Sequence, residues 1–184
     1  MKTLKTFAAA TATAVLLATG AIAANPEVGG APMFENKNIV ENAVNSADHT
    51  TLVAAVKAAG LVDTLASEGP FTVFAPVNSA FDALPAGTVD TLLKPENKDM
   101  LTKVLTAHVV AGNWSAADIA AKARASSDGF YHFNAVSGDA LSAQVKGNNV
   151  YIIDESGNAS RVTIADVNQS NGVIHVVNSV LVPK

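Results

Sequence analysis

Gly69 to Leu93 reads GPFTVFAPVNSAFDALPAGTVDTLL, and the local structure changes several times within this run. Phe71 to Phe74 is apolar and aromatic enough for a buried strand, and Pro76, which has no N–H for a ladder, ends it. Asn78 is a side chain suited to capping a helix that carries Phe81 and Leu84. Pro85 and Gly87 interrupt that helix, and Val89, Leu92 and Leu93 form a further helical turn. A second stretch, Asn171 to Pro183, reads NGVIHVVNSVLVP near the end of the chain. Its Asn-Gly pair is a turn signal that opens a last strand.

Upstream of Gly69 the apolar spacing is helical. Ile39, Val40, Ala43 and Val44 share one face, and Leu52, Val53, Val56 and Ala59 repeat the spacing, with Gly60 as the stop. Leu61, Val62 and Leu65 add a short turn. Pro95 suits a first helical position, ahead of a face made by Leu101, Val104, Leu105 and His108. Ser115 with Asp118 resembles a capping box opening an Ala-rich helix to about Ala125. After Asp128-Gly129 the character changes. Phe130–Val136, Leu141–Lys146, Val150–Ile153 and Arg161–Val167 are strand-like, separated by turn signals at Gly138-Asp139, Gly147-Asn148 and Ser156-Gly157-Asn158. Helices first and strands later predict an α+β domain, with helices packed against an antiparallel sheet.

The N-terminus reads as a signal peptide over residues 1–23. Lys2 and Lys5 precede the Ala-rich stretch Phe7–Leu17, and Ala21-Ile22-Ala23 supplies the small-x-small cleavage pattern. That stretch falls short of the roughly 20 apolar residues a membrane span needs. Residues 24–35 (ANPEVGGAPMFE) are Pro- and Gly-rich without periodicity and are expected to form a flexible leader. One domain, residues 36–184, follows without internal repeat. Removal of Lys2 and Lys5 leaves ten basic residues against sixteen acidic ones, a formal net charge of −6. Such a balance argues against a phosphate-binding surface, and hence against a nucleic-acid partner. There is no cysteine. The domain is expected to rest on its core alone and to carry no lipid on an N-terminal cysteine; the ending VLVPK gives no hydrophobic tail for a GPI anchor.

Taken together, Phe74-Ala75-Pro76-Val77-Asn78-Ser79-Ala80-Phe81 and Asn171–Leu181 resemble the two motifs of the fasciclin (FAS1) domain. Leu105–Gly112 (LTAHVVAG) is a third, weaker match: the family commonly has an aromatic-His pair there, and this chain has Ala107-His108. The resemblance spans residues 36–184 and implies a wedge-shaped β-sandwich with several helices packed along one side. It also implies an extracytoplasmic protein, periplasmic or secreted, that takes part in adhesion or matrix interaction and binds a cell-surface or matrix protein or glycan. A second implication is a carrier for a small apolar ligand such as a carotenoid, since some FAS1-like proteins hold one between helices and sheet.

No catalytic set emerges from the sequence, so the protein is expected not to be an enzyme and to need no cofactor or metal. His108 and His175 fall on apolar faces and read as core imidazoles. His49 lies in a cap region and His132 on an edge strand. No His pair has metal-ligand spacing such as HExxH. Asp154-Glu155-Ser156-Gly157-Asn158 looks like the start of a calcium loop, but its glycine is displaced and Ala165 stands where a bidentate Glu belongs, which makes it a hairpin turn. Candidate partner contacts are His108, Asp166 and Val167. The family resemblance implies the first through the aromatic-His pair, and the other two through an Asp-Ile pair used for adhesion in animal members. Asn113, Asn158 and Asn168 begin glycosylation sequons. Trp114 precedes a helix cap as a staple or a surface contact.

Overall fold

The structure is a computed structural model and describes residues 25–184, so the expected signal peptide lies outside the described residues. Helices α1 (Ile39–Ala43), α2 (Thr50–Ala59), α3 (Val62–Ala66), α4 (Asn78–Asp82), α5 (Thr88–Leu92) and α6 (Lys98–Thr106) fill most of the first half, with α7 (Ala116–Ala125) following. The strands are β1 (Glu27–Val28), β2 (Ala31–Pro32), β3 (Phe71–Pro76), β4 (Val109–Ala111), β5 (Phe130–Asn134), β6 (Ala140–Lys146), β7 (Asn149–Ile153), β8 (Ala159–Gln169) and β9 (Gly172–Val177). Local signals explain most boundaries. Gly60 ends α2 in the left-handed conformation (φ 74°), and the Ser115 side chain accepts from the Asp118 N–H at the start of α7. Asn38 and Glu41 form a full capping box on α1.

Seven strands make one sheet in the order β4-β3-β9-β8-β7-β6-β5. Every pairing is antiparallel except that of β3 with β9, which run parallel over their whole length. The two sequence stretches that decide the fold are thus neighbours at the centre of the sheet. The expected antiparallel sheet is therefore mixed, because β3 and β9 lie on opposite sides of a long crossover. Gly172 makes their approach possible: its φ is 156°, and a Cβ there would sit 2.0 Å from the Phe71 carbonyl oxygen.

Strand β8 bends the sheet onto itself. Residues 159–161 pair with β7 and residues 162–169 with β9, and the register against β9 slips twice between Val162 and Val167. The far ends of the sheet consequently approach one another, and the Val136 N–H donates to the Val109 carbonyl at 2.7 Å. Two cores result. One lies between the helices and one face of β3, β8 and β9 (Leu52, Val56, Leu101, Leu105, Val73, Ile174, Val176). The other lies inside the curled sheet under α7 (Phe74, Ile119, Leu141, Ile152, Val177, Leu181). Strand β9 is buried on both faces for that reason.

Three expectations are corrected. Residues within the expected leader form a hairpin, β1–β2, with Val28 and Met33 buried in the helical core. Its Gly29-Gly30 turn has positive φ at both positions, the geometry a two-residue hairpin requires, so these glycines mark a turn and not a linker. Asn78 does not cap its own helix: its Oδ1 accepts from the Thr51 N–H and the Thr50 hydroxyl, and its Nδ2 donates to the Ala47 carbonyl. It caps α2, a neighbour in space. His108 is not on a helix, since α6 ends at Thr106 with Ala107 as its cap.

Candidate functional site

Between the helices and the sheet lies an apolar cleft with a cavity of about 80 Å³. Ile39 and Val40 of α1, Leu52, Val53 and Val56 of α2, Val62 and Leu65 of α3, and Phe71 and Val73 of β3 form its walls, and Val28 and Met33 of the hairpin complete them. The i, i+3, i+4 spacing on α2 points these side chains to one face, and the alternation along β3 supplies the opposite wall. Polar lining residues are few: His49, Lys57, Thr64, Thr106 and His108.

Both histidines of the lining are held neutral. His108 is buried, its Nδ1–H donates to the Val104 carbonyl at 2.8 Å, and its Nε2 accepts from the Leu181 N–H at 2.8 Å. Burial lowers its pKa to about 4, against smaller opposing effects from the Val104 carbonyl and Asp154. The ring ties the end of α6 to the C-terminal segment. His49 is likewise buried, with Nδ1 at 2.9 Å from the Ser46 hydroxyl, while its Nε2 has no hydrogen-bond partner. Burial lowers its pKa, and the nearby backbone of Ala75 and the charge of Asp48 offset part of the effect.

The residues expected as partner contacts are not brought together. Val167 is fully buried in the helical core, and His108 packs inside. Asp166 is exposed and sits inside β8 at a bulge with φ 57°. Its Oδ1 accepts from the Ala116 N–H at 2.7 Å, the first residue of α7, and its own N–H donates to His175 Nδ1 at 3.2 Å. His175 Nε2–H donates in turn to the Trp114 carbonyl at 2.8 Å, and the ring stacks on Phe74 with centroids 5.7 Å apart. Burial lowers the His175 pKa, so this tautomer is neutral. Asp166 and His175 thereby fasten the start of α7 to the sheet.

Trp114 is half-buried; its indole N–H donates to the Ala111 carbonyl, and Lys122 Nζ lies 3.5 Å from the ring centroid. Asp154 accepts from the Ser156 and Asn158 N–H groups, as its hairpin-turn reading requires, and from the Val182 N–H besides. One array escaped sequence reasoning. Asp128 Oδ2 contacts His132 Nε2 at 2.9 Å, and His132 Nδ1 contacts the Ser142 hydroxyl at 2.8 Å. The hydrogen bond from the Ser126 hydroxyl, with those from His132 and the Phe130 N–H, holds the Asp128 carboxyl below its ordinary range. The array is carboxylate–imidazole–hydroxyl in order, but it lies on the exposed edge hairpin and lines neither the cleft nor the smaller cavity beside Trp114. It pins the turn before β5. No group of three or more metal-ligating side chains occurs among the described residues.

Residues 47–183 match the family model of the fasciclin domain. The chain belongs to the fasciclin family. Protein sll1483 of Synechocystis is 51% identical to this fasciclin chain over 145 residues, covering 79% of this chain and 73% of that protein. Immunogenic protein MPB70 of Mycobacterium bovis is 36% identical over 146 residues, covering 77% of this chain and 66% of its own length. Among solved structures, the FAS1 domain pair from the insect cell adhesion molecule fasciclin I superposes with a TM-score of 0.69 at 17% identity. That match covers 79% of this chain and 50% of the insect chain, and it shows the shared fold. The α+β architecture with a curled mixed sheet is the FAS1 fold.

Proposed function

We propose that this fasciclin protein is an extracytoplasmic, non-catalytic binding protein that holds a small apolar ligand in the cleft between α1–α3 and β3. The observation that carries this reading is the lining: apolar walls on three helices and a strand, with few polar residues among them. Size limits the ligand. The cavity of about 80 Å³ is roughly half an engineered 150 Å³ cavity that takes benzene. It accepts the end of an apolar chain, with the remainder along the open mouth; a carotenoid enters more deeply only if the helices part. The test is the visible absorption spectrum of protein purified from its own host, followed by extraction and mass measurement. A stoichiometric apolar compound is expected. A protein that is empty, and that also fails to take up an apolar fluorescent dye, overturns the reading.

Adhesion or matrix interaction, with a cell-surface or matrix protein or glycan as partner, is the second reading. It draws support from the fold shared with an insect cell adhesion molecule. Of the three candidate contacts only Asp166 is exposed, so this reading is tested by attachment of host cells to immobilised wild-type protein and to Asp166→Asn. Attachment unaffected by the substitution removes Asp166 from consideration.

A further inference from the structure

Lys57 is the one Lys, Arg, Asp or Glu in the lining of the cleft, beside the buried His49 and His108. It is exposed and still lines the cleft, which puts it at the rim, where a lysine covers apolar surface with its aliphatic stem and keeps its ammonium in water. The Lys57 side chain forms no ion pair among the described residues, and its backbone carbonyl accepts from the Gly60 N–H at the end of α2. Lys98, whose Nζ would lie 3.4 Å from a Cβ built on Gly60, is not among the lining residues of the cleft. Lys98 has no ion-pair partner among the described residues either. A position in the last turn of α2 suits any lysine, since it faces the negative end of the helix dipole. That preference does not require the residue to line the cleft.

We infer that the cleft takes an amphiphile with an anionic head, a fatty-acid-like carboxylate, whose chain enters between the helices and whose head pairs with Lys57. The inference rests on the reading of the cleft as a ligand site. An apolar chain satisfies the walls, and the head stays at the rim, where a carboxylate keeps most of its hydration and gains a partner. Charge at the rim then discriminates between ligands of identical chain.

The experiment compares a saturated straight-chain fatty acid with the alcohol of the same length, each displacing an apolar fluorescent dye from the protein. The acid is expected to bind about two- to fivefold more tightly, the upper part of the range for one partly exposed ion pair. Added salt narrows the gap. The preference is expected to vanish in Lys57→Gln and to persist in Lys57→Arg. Equal binding of acid and alcohol to wild type overturns the head-group inference and leaves the cleft as an apolar site. A preference undiminished in Lys57→Gln overturns the assignment to Lys57. Failure of both ligands to bind removes the cleft reading along with it.

Discussion

Lowering the pH from 7 to 5 is expected to weaken the fold through His108. Its pKa stands near 4 in the folded chain against an ordinary 6.5. The unfolded chain therefore binds a proton that the folded chain refuses, so stability is complete above pH 6.5 and is lost as pH falls toward 4. The main physical reason is burial, which disfavours the charged ring, and the bond at Nε2 acts in the same direction. Its Nε2 accepts from the Leu181 N–H, and a protonated Nε2 would set donor against donor in a site closed to water. With those two values the loss between pH 7 and pH 5 is about 2 kcal/mol from this residue alone. His49 and His175 are shifted in the same direction and steepen the decline. Urea unfolding at pH 7, 6 and 5 measures it, with His108→Gln as the comparison. The variant is expected to be less stable at pH 7, because the Val104 carbonyl or the Leu181 N–H loses its partner, yet to lose about 2 kcal/mol less than wild type by pH 5. Parallel pH profiles for the two proteins would refute the reasoning.

Three further outcomes follow from the same geometry. Asp166→Ala removes the acceptor for the Ala116 N–H and places alanine at φ 57°; it should cost about 1–3 kcal/mol in urea unfolding, with Asp166→Asn closer to wild type. Asn171→Ala strands the Ile39 N–H and the Leu65 and Ser67 carbonyls, so a loss of about 3 kcal/mol or more is expected, with faster amide exchange at Ile39. Met33→Ala should destabilise by about 2–4 kcal/mol, since the side chain is buried; a change within 0.5 kcal/mol, about that of a surface substitution, would return residues 24–35 to the status of a leader.

Element types and their order were legible in the sequence because they depend on neighbours along the chain. Apolar spacing marked α2 and α6, Gly60 marked a stop, Ser115 marked a cap, and the two motifs named the FAS1 fold. Pairings between distant segments were not legible. Asn78 could be read as a capping residue but not as the cap of α2, because the N–H it serves belongs to a segment that only folding brings near. Asp166 and Val167 are adjacent in the chain, and the bulge in β8 sends one to solvent and the other into the core. The cleft was a possibility raised by the family resemblance, and its Lys57 drew no notice because a lone lysine on a helix has no pattern. Short-range propensity thus determined what each segment becomes. The tertiary structure alone decided which backbone groups each polar side chain satisfies and which apolar faces meet, since both depend on burial and contact across long separations in sequence.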